Sequence, residues 1–329
     1  MWWLSIGILI CAILVAYLLL NIFLIRLIGP IFESAPLLIP AESKADGTAT
    51  LLEIPTPDGF KLSACLYSRD ERASRGLIIF CHEFGGSKWT CMTYCRGLWD
   101  AGFDILAFDF RNHGESSVIP GYRHIHWLTD FEVADVRAAI DYVREDPQLC
   151  ERSIGLFGVS RGGSAALAAG ACHPSVELIA TDSAFPTEPM IRHFTHRWFS
   201  LHVPDFMYTL APEWHIRYTM WSVKRFIQWR RGCRFTEVIP QIRKMSLPQK
   251  AFLIAGERDS FVPIDVTREM REALGECCHD LWIVPKAKHN SARKEASEEY
   301  DAHLIQFFSE MSPVGDNRSL QPVETSTEL

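Results

Sequence analysis

The segment Gly155–Gly163, GLFGVSRGG, sets a serine, Ser160, at the end of an apolar run, with Gly158 and Gly162 two positions away on either side. The run reads as a buried strand, and the Ala/Gly-rich stretch after it as a helix. A serine at such a turn takes a strained backbone conformation, and its neighbours two residues away come too close to carry large side chains. The turn exposes Oγ and aims a helix N-terminus at whatever reacts there. The chemistry this predicts is nucleophilic attack by the hydroxyl. The plainer alternative is an ordinary serine at a tight turn.

A hydroxyl is a weak nucleophile until a base takes its proton, and the base needs an orienting acid. Asp259 follows the apolar run Ala251–Ile254, and His289 follows Leu281–Val284. Both fall just past a strand end, in the chain order Ser, Asp, His. Asp182, after Leu178–Thr181, is the rival acid, with a turn cap as its other reading. His82, His113, His124 and His126 precede the serine and break the order; His82 and His113 are read as loop-orienting. His193 and His196 share a helical spacing that suits a solvated or membrane-facing surface better than a metal pair. Attack on a carbonyl builds negative charge on its oxygen, so two backbone N–H donors are required. The expected donors are Arg161, next to the nucleophile, and Phe84, in the loop CHEFGGSKWT after the third strand, where Gly85 and Gly86 let the backbone turn back.

Bringing three distant loops together requires a layered sheet. Strand-like runs occur at Leu51–Ile54, Leu62–Tyr67, Gly76–Cys81, Phe103–Phe108, Ser153–Val159, Leu178–Thr181, Ala251–Ile254 and Leu281–Val284. Several are continuously apolar, as in strands covered on both faces. Helical patterns lie between them at Asp130–Val143, Arg161–Ala171, Val266–Leu274 and Ala292–Phe308. The predicted class is α/β, with a mostly parallel sheet and helices on both faces. The first two strands meet at Pro57-Asp58-Gly59, so the sheet is expected to begin antiparallel. Chemistry in such sheets collects at the carboxyl ends of the strands. Residues 186–249 interrupt the alternation with aromatics, and from Met190 to Met245 ten Lys or Arg stand against three Asp or Glu. They read as a helical cap insertion.

These motifs resemble the α/β-hydrolase superfamily, in its esterase, lipase and serine-peptidase branches, over roughly residues 50–310. The resemblance rests on HEFGG at 82–86, DFRNHGES at 109–116, GVSRGG at 158–163, GERDSFVP at 256–263 and KHN at 288–290. It implies eight core strands, the triad Ser160, Asp259 and His289, and a cap between the sixth and seventh strands. Relatives usually carry Gly where this chain has Glu83. Glu83 is expected to point outward idly, to pair with Arg161, or to select a cationic group on a substrate.

Net charge of −7 argues against nucleic-acid binding. The ten cysteines have no framework spacing and read as free thiols in a reducing compartment. Cys91 and Cys95, four apart, lack a nearby third ligand, so no metal site is expected. Residues 2–25 carry no charge, long enough to span a bilayer and lacking the basic flank of a cleaved signal peptide. Arg26 after the span places the remainder in the cytoplasm. Arg217, Lys224, Gln228 and Arg231 share one helical face, which suits anionic lipid headgroups or plain solvent. The expected organisation is an anchor over 1–28, a linker over 29–49, a hydrolase domain over 50–310 and a disordered tail over 311–329. The expected activity is cleavage of an ester or thioester with an apolar or lipid-like acyl group, without metal or organic cofactor. A peptidase of the same fold and a catalytically silent membrane-bound interaction module are the alternatives.

Overall fold

The computed structural model describes residues 2–34, 44–69, 74–171, 173–202 and 212–312. Residues 35–43 of the expected linker, the tail from 313, Phe206, Tyr208, and the side chains of His196, Trp198 and Phe199 lie outside the described residues. All eight apolar runs form strands: β1 Thr50–Pro55, β2 Lys61–Tyr67, β3 Leu77–Cys81, β4 Asp104–Phe108, β5 Ile154–Val159, β6 Val176–Asp182, β7 Lys250–Gly256 and β8 Cys278–Val284. The described helices are α1 Trp2–Glu33, α2 Cys91–Asp100, α3 Asp130–Glu145, α4 Arg161–Gly170, α5 Thr187–His202, α6 Glu213–Arg231, α7 Val238–Ile242, α8 Ile264–Leu274, α9 Ala292–Glu295 and α10 Ser297–Phe308.

The strands make one sheet in the order β1-β2-β4-β3-β5-β6-β7-β8. β2 runs antiparallel to both β1 and β4, and every other neighbouring pair is parallel. The antiparallel start follows from the turn at Pro57-Asp58-Gly59, where Gly59 has φ 87°. Because β3 and β5 to β8 share one direction, the loops after Cys81, Val159, Asp182, Gly256 and Val284 leave the same edge.

Side chains alternate between two cores, one on each face. Leu77 and Ile79 of β3 join Leu156, Ile179 and Leu253 beside α3, α4 and α8. Ile78 and Phe80 join Phe157 and Phe252 beside α2 and α10. Burial on both faces is why these strands read as unbroken apolar runs. Cys91 and Cys95 face this second core from α2. The helix expected over Ala292–Phe308 is instead two, broken at Ala296, whose φ −143° and ψ 60° are not helical.

The chain divides into two compact units. One holds the sheet. In the other, α1 groups with Gly121–His126 and Ile191–Arg234. Trp2–Pro30 of α1 is long and apolar enough to cross a membrane. The helix continues past the expected anchor boundary at 28 to Glu33, because its last turn has partners. Ile28 and Phe32 are buried, and Glu33 accepts from Arg231 Nε at 2.9 Å and pairs with Arg230 at 3.0 Å. The four-residue face of α6 read as basic and accessible is thereby partly used: Arg231 binds Glu33, and Gln228 is buried. α6 ends at Gly232, whose φ of 67° is the left-handed cap that glycine supplies.

The second core carries a direct test. Phe80 is fully buried, stacked on Tyr94 and edge-on to Phe157, each at 5.8 Å. Phe80→Ala is expected to lower unfolding free energy by about 3–5 kcal/mol, read by denaturant titration in detergent.

Candidate active site

Ser160 stands between β5 and α4 with φ 52° and ψ −122°. A side-chain-bearing residue in this region is strained by about 1–3 kcal/mol and persists only where its surroundings over-determine it. Here the Ser160 N–H donates to the Asp182 carbonyl at 2.7 Å, and its own carbonyl accepts from Ser164 N at 3.1 Å. The flanking glycines allow the close approach. A Cβ on Gly162 would lie 2.2 Å from the Cys81 carbonyl oxygen and 2.4 Å from that of His82. A Cβ on Gly158 would lie 2.5 Å from the Gly162 carbonyl oxygen.

Ser160 Oγ lies 2.9 Å from His289 Nε2, and His289 Nδ1 lies 2.7 Å from Asp259 Oδ2. With Nδ1–H donating to the carboxylate, Nε2 is left as the acceptor for the serine proton. The other oxygen of Asp259 accepts two backbone N–H groups, from Phe261 and Val262, both at 2.8 Å. Those bonds fix the carboxylate at the end of β7, so its free lone pairs point at the imidazole. The Phe261 ring packs edge-on against the His289 ring at 4.9 Å. The three side chains come from loops after β5, β7 and β8, and all three are largely withdrawn from solvent.

Asp182, the rival acid, is fully buried and otherwise engaged. Its carboxyl oxygens accept from Ser183 Oγ and from Tyr300 Oη of α10, each at 3.0 Å. Burial pushes its pKa up to about 6, against the lowering effect of those two hydrogen bonds.

His82 and His113 hold loops, as read from the sequence. His82 pairs Nδ1 with the Glu83 carbonyl at 2.7 Å and accepts the Phe110 N–H on Nε2 at 3.1 Å. Burial lowers its pKa to about 4, which keeps it neutral. His113 Nδ1 meets the Arg111 carbonyl at 3.0 Å, and its Nε2 meets Arg161 Nη2 at 2.9 Å.

Of the two expected oxyanion donors, Arg161 follows Ser160 directly and Phe84 lies in the loop after β3. Arg161 opens α4, where first-turn N–H groups have no partner within the helix. Phe84 lies in a turn closed by Gly86 N donating to the Glu83 carbonyl at 3.0 Å, with Gly85 at φ 77°. That positive φ at the third position is what a type II turn demands. The Phe84 ring covers the Arg161 guanidinium at 5.0 Å.

Glu83 does not point outward. It is 1% exposed, its carboxylate lies against Thr90 Oγ1 and Tyr94 Oη at 3.4 and 3.5 Å, and it fills the space beside Gly86. Glu132 of α3 sets a carboxylate against the Arg161 guanidinium, at 3.5 Å.

The sequence reading also missed Lys88. Its fully buried ammonium meets Asp109 Oδ2 at 2.9 Å, Glu115 Oε2 at 2.6 Å and Ser63 Oγ at 3.0 Å. Asp109 also accepts the Lys88 and Glu115 backbone N–H groups, which ties the loop after β3 to the loop after β4. A lysine followed by an aspartate and a glutamate in two adjacent loops was the available signal, and charge on loops ordinarily reads as solvated. Among the described residues, no group of three or more His, Cys, Asp or Glu side chains is placed to hold a metal ion.

A family model described as "Serine aminopeptidase, S33" (Hydrolase_4) matches residues 72–295. The thiohydrolase aneE of Aspergillus aculeatus is 29% identical over 133 residues, a match spanning 40% of this chain and 40% of that protein. The chain thus matches well under half the length of this curated relative. Among solved structures, the Pyrococcus furiosus esterase Pf2001 superposes with TM-score 0.58 at 21% identity, covering 83% of this chain and 97% of that one. The α/β hydrolase GrgF from Penicillium sp. sh18 superposes with TM-score 0.59 at 18% identity, covering 79% and 97%. These likenesses establish an α/β-hydrolase fold.

The raised pKa of Asp182 sets a sign for stability against pH. The native carboxyl holds its proton to about pH 6, whereas the unfolded one releases it near the ordinary aspartate value of 3.8. Its contribution is complete below about pH 4 and is lost as pH rises through 6. Asp182→Asn cannot ionise, so its melting temperature relative to wild type is expected to climb between pH 4 and 7. A flat difference across that range would contradict the assignment.

Proposed function

Since this chain belongs to the serine aminopeptidase S33 (Hydrolase_4) family of α/β hydrolases, we propose that it is a serine hydrolase acting through an acyl-enzyme on Ser160. The observation that carries this reading is the unbroken hydrogen-bonded line from Ser160 Oγ through the His289 ring to Asp259. Ser160 Oγ attacks the substrate carbonyl carbon while His289 Nε2 takes its proton. Asp259 stabilises the imidazolium that forms. The Phe84 and Arg161 amides hold the tetrahedral oxyanion, and a lost donor of this kind costs about 3 kcal/mol of barrier. His289 then returns the proton to the leaving group, and the carbon–heteroatom bond breaks. Water attacks the acyl-enzyme by the same relay and releases the acid.

The substrate read here is an ester or thioester of an apolar, lipid-like acyl group. The aromatic density of residues 186–249 supports the apolar acyl group. Esterase and thiohydrolase relatives support the bond. A peptidase is the second reading, favoured by the family's description. It needs an anchor for the substrate amine, and the inward burial of Glu83 speaks against that residue as the anchor.

The organisation that accompanies this reading is an anchor over 1–28, a linker over 29–49, a hydrolase domain over 50–310 with its insertion at 186–249, and a tail over 311–329. The apolar Trp2–Pro30 helix supports a single-pass membrane anchor. Arg26 beyond its apolar stretch supports a cytoplasmic hydrolase domain.

A fluorophosphonate probe is expected to label the wild-type protein and to leave Ser160→Ala unlabelled. Asp259→Asn is expected to lower kcat about 10⁴-fold, through loss of the imidazole orientation. Turnover of p-nitrophenyl esters is expected to exceed that of aminoacyl amides; the reverse order would favour the peptidase. Folded wild-type protein that takes up no probe would favour the interaction module.

A further inference from the structure

α1 and α6 run side by side in the same direction. Tyr17, midway along α1, meets the start of α6: its hydroxyl lies 3.0 Å from His215 Nδ1, and its ring packs on Trp214 at 5.9 Å and on Tyr218 at 6.1 Å. Glu33, at the end of α1, meets Arg230 and Arg231 at the end of α6. The two helices therefore keep company from Tyr17 to Glu33.

That geometry fixes a depth. From Trp2, about 20 residues rising 1.5 Å each cross a ~30 Å hydrocarbon core. The helix then leaves the core near Asn21 or Ile22, and Tyr17 lies about 7 Å inside it. Whatever packs against Tyr17 shares that depth.

The face of α6 that carries Trp214 and Tyr218 beside Tyr17 is built for such a place. Thr219, Val223 and Ile227, four apart, are buried. On the opposite side Trp214, Tyr218 and Trp221 stand 62%, 43% and 57% exposed, at spacings of one helical turn, with the Tyr218 and Trp221 rings stacked. Exposed Arg217 lies among them. Rings with an apolar body and a polar edge collect at the membrane–water boundary, and an arginine there extends its guanidinium to lipid phosphates. The neighbouring α1 surface, with Leu14 and Leu18 exposed, continues the same apolar band.

We infer that the Trp214–Tyr218–Trp221 edge of α6 is a lipid-contact surface, seated at the headgroup–acyl boundary of the bilayer that α1 enters. This rests on the membrane-anchor reading and adds a second element held in the bilayer. Of the basic face read from the sequence, Arg217 joins this edge, whereas Gln228 is buried and Arg231 is paired to Glu33.

The test is lipid photolabelling of the full-length protein. The protein is reconstituted into phosphatidylcholine–phosphatidylserine vesicles whose acyl chains carry diazirines, irradiated, digested and mapped by mass spectrometry. Adducts are expected on peptides covering both residues 2–22 and residues 213–221. Adducts on 2–22 with none on 213–221 would overturn the inference and leave the anchor standing. Absence of adducts on 2–22 would overturn the anchor reading, and the inference with it.

Discussion

Ser160 occupies a backbone region that a residue with a side chain enters only under constraint, with φ at 52°. Everything around it serves to hold that one dihedral. The carbonyl of Asp182 takes its N–H, and the missing side chains of Gly158 and Gly162 let α4 start against the end of β3. The hydroxyl is thereby lifted out of the sheet edge and set within hydrogen-bond reach of His289. Strain of about 1–3 kcal/mol is supportable because both faces of the sheet are closed by large apolar cores. The parallel pairing of β3, β5, β6, β7 and β8 then brings the loops of Asp259 and His289 to the same edge without further device.

The loops themselves are held by buried charge. Lys88, in the loop that also carries Phe84, binds Asp109, and Arg161 binds Glu132 and His113. Buried ion pairs add little net stability over apolar packing of the same volume, and breaking one leaves an uncompensated charge. Their value here is geometric: each has discrete partners, so each loop has one position. Phe84 packs against the ring of His113 and the guanidinium of Arg161, and so belongs to the second of these networks.

The strands were legible because both their faces are buried, which turns each into an apolar run. Ser160, Asp259 and His289 were legible because each stands immediately after such a run. The supports were not. Glu132 lies on α3, 29 residues before Arg161 in the chain, and its contact arises only from the packing of that helix. Glu83 looked like a surface charge in a loop, and only the turn closed by Gly86 shows that it folds inward. The break at Ala296 leaves no mark in residue type, since alanine favours helix. The continuation of α1 to Glu33 depends on arginines some 200 residues away.

The central claim is that the acyl group passes through the Ser160 oxygen, and rapid-quench mass spectrometry reads this directly. The enzyme is mixed with excess activated ester or thioester, stopped in acid within the first turnover, and digested. The account predicts one acyl group on the peptide bearing Ser160, accumulating and then decaying as product appears. Turnover that proceeds with that peptide unmodified, or with the acyl group on another residue, would contradict it.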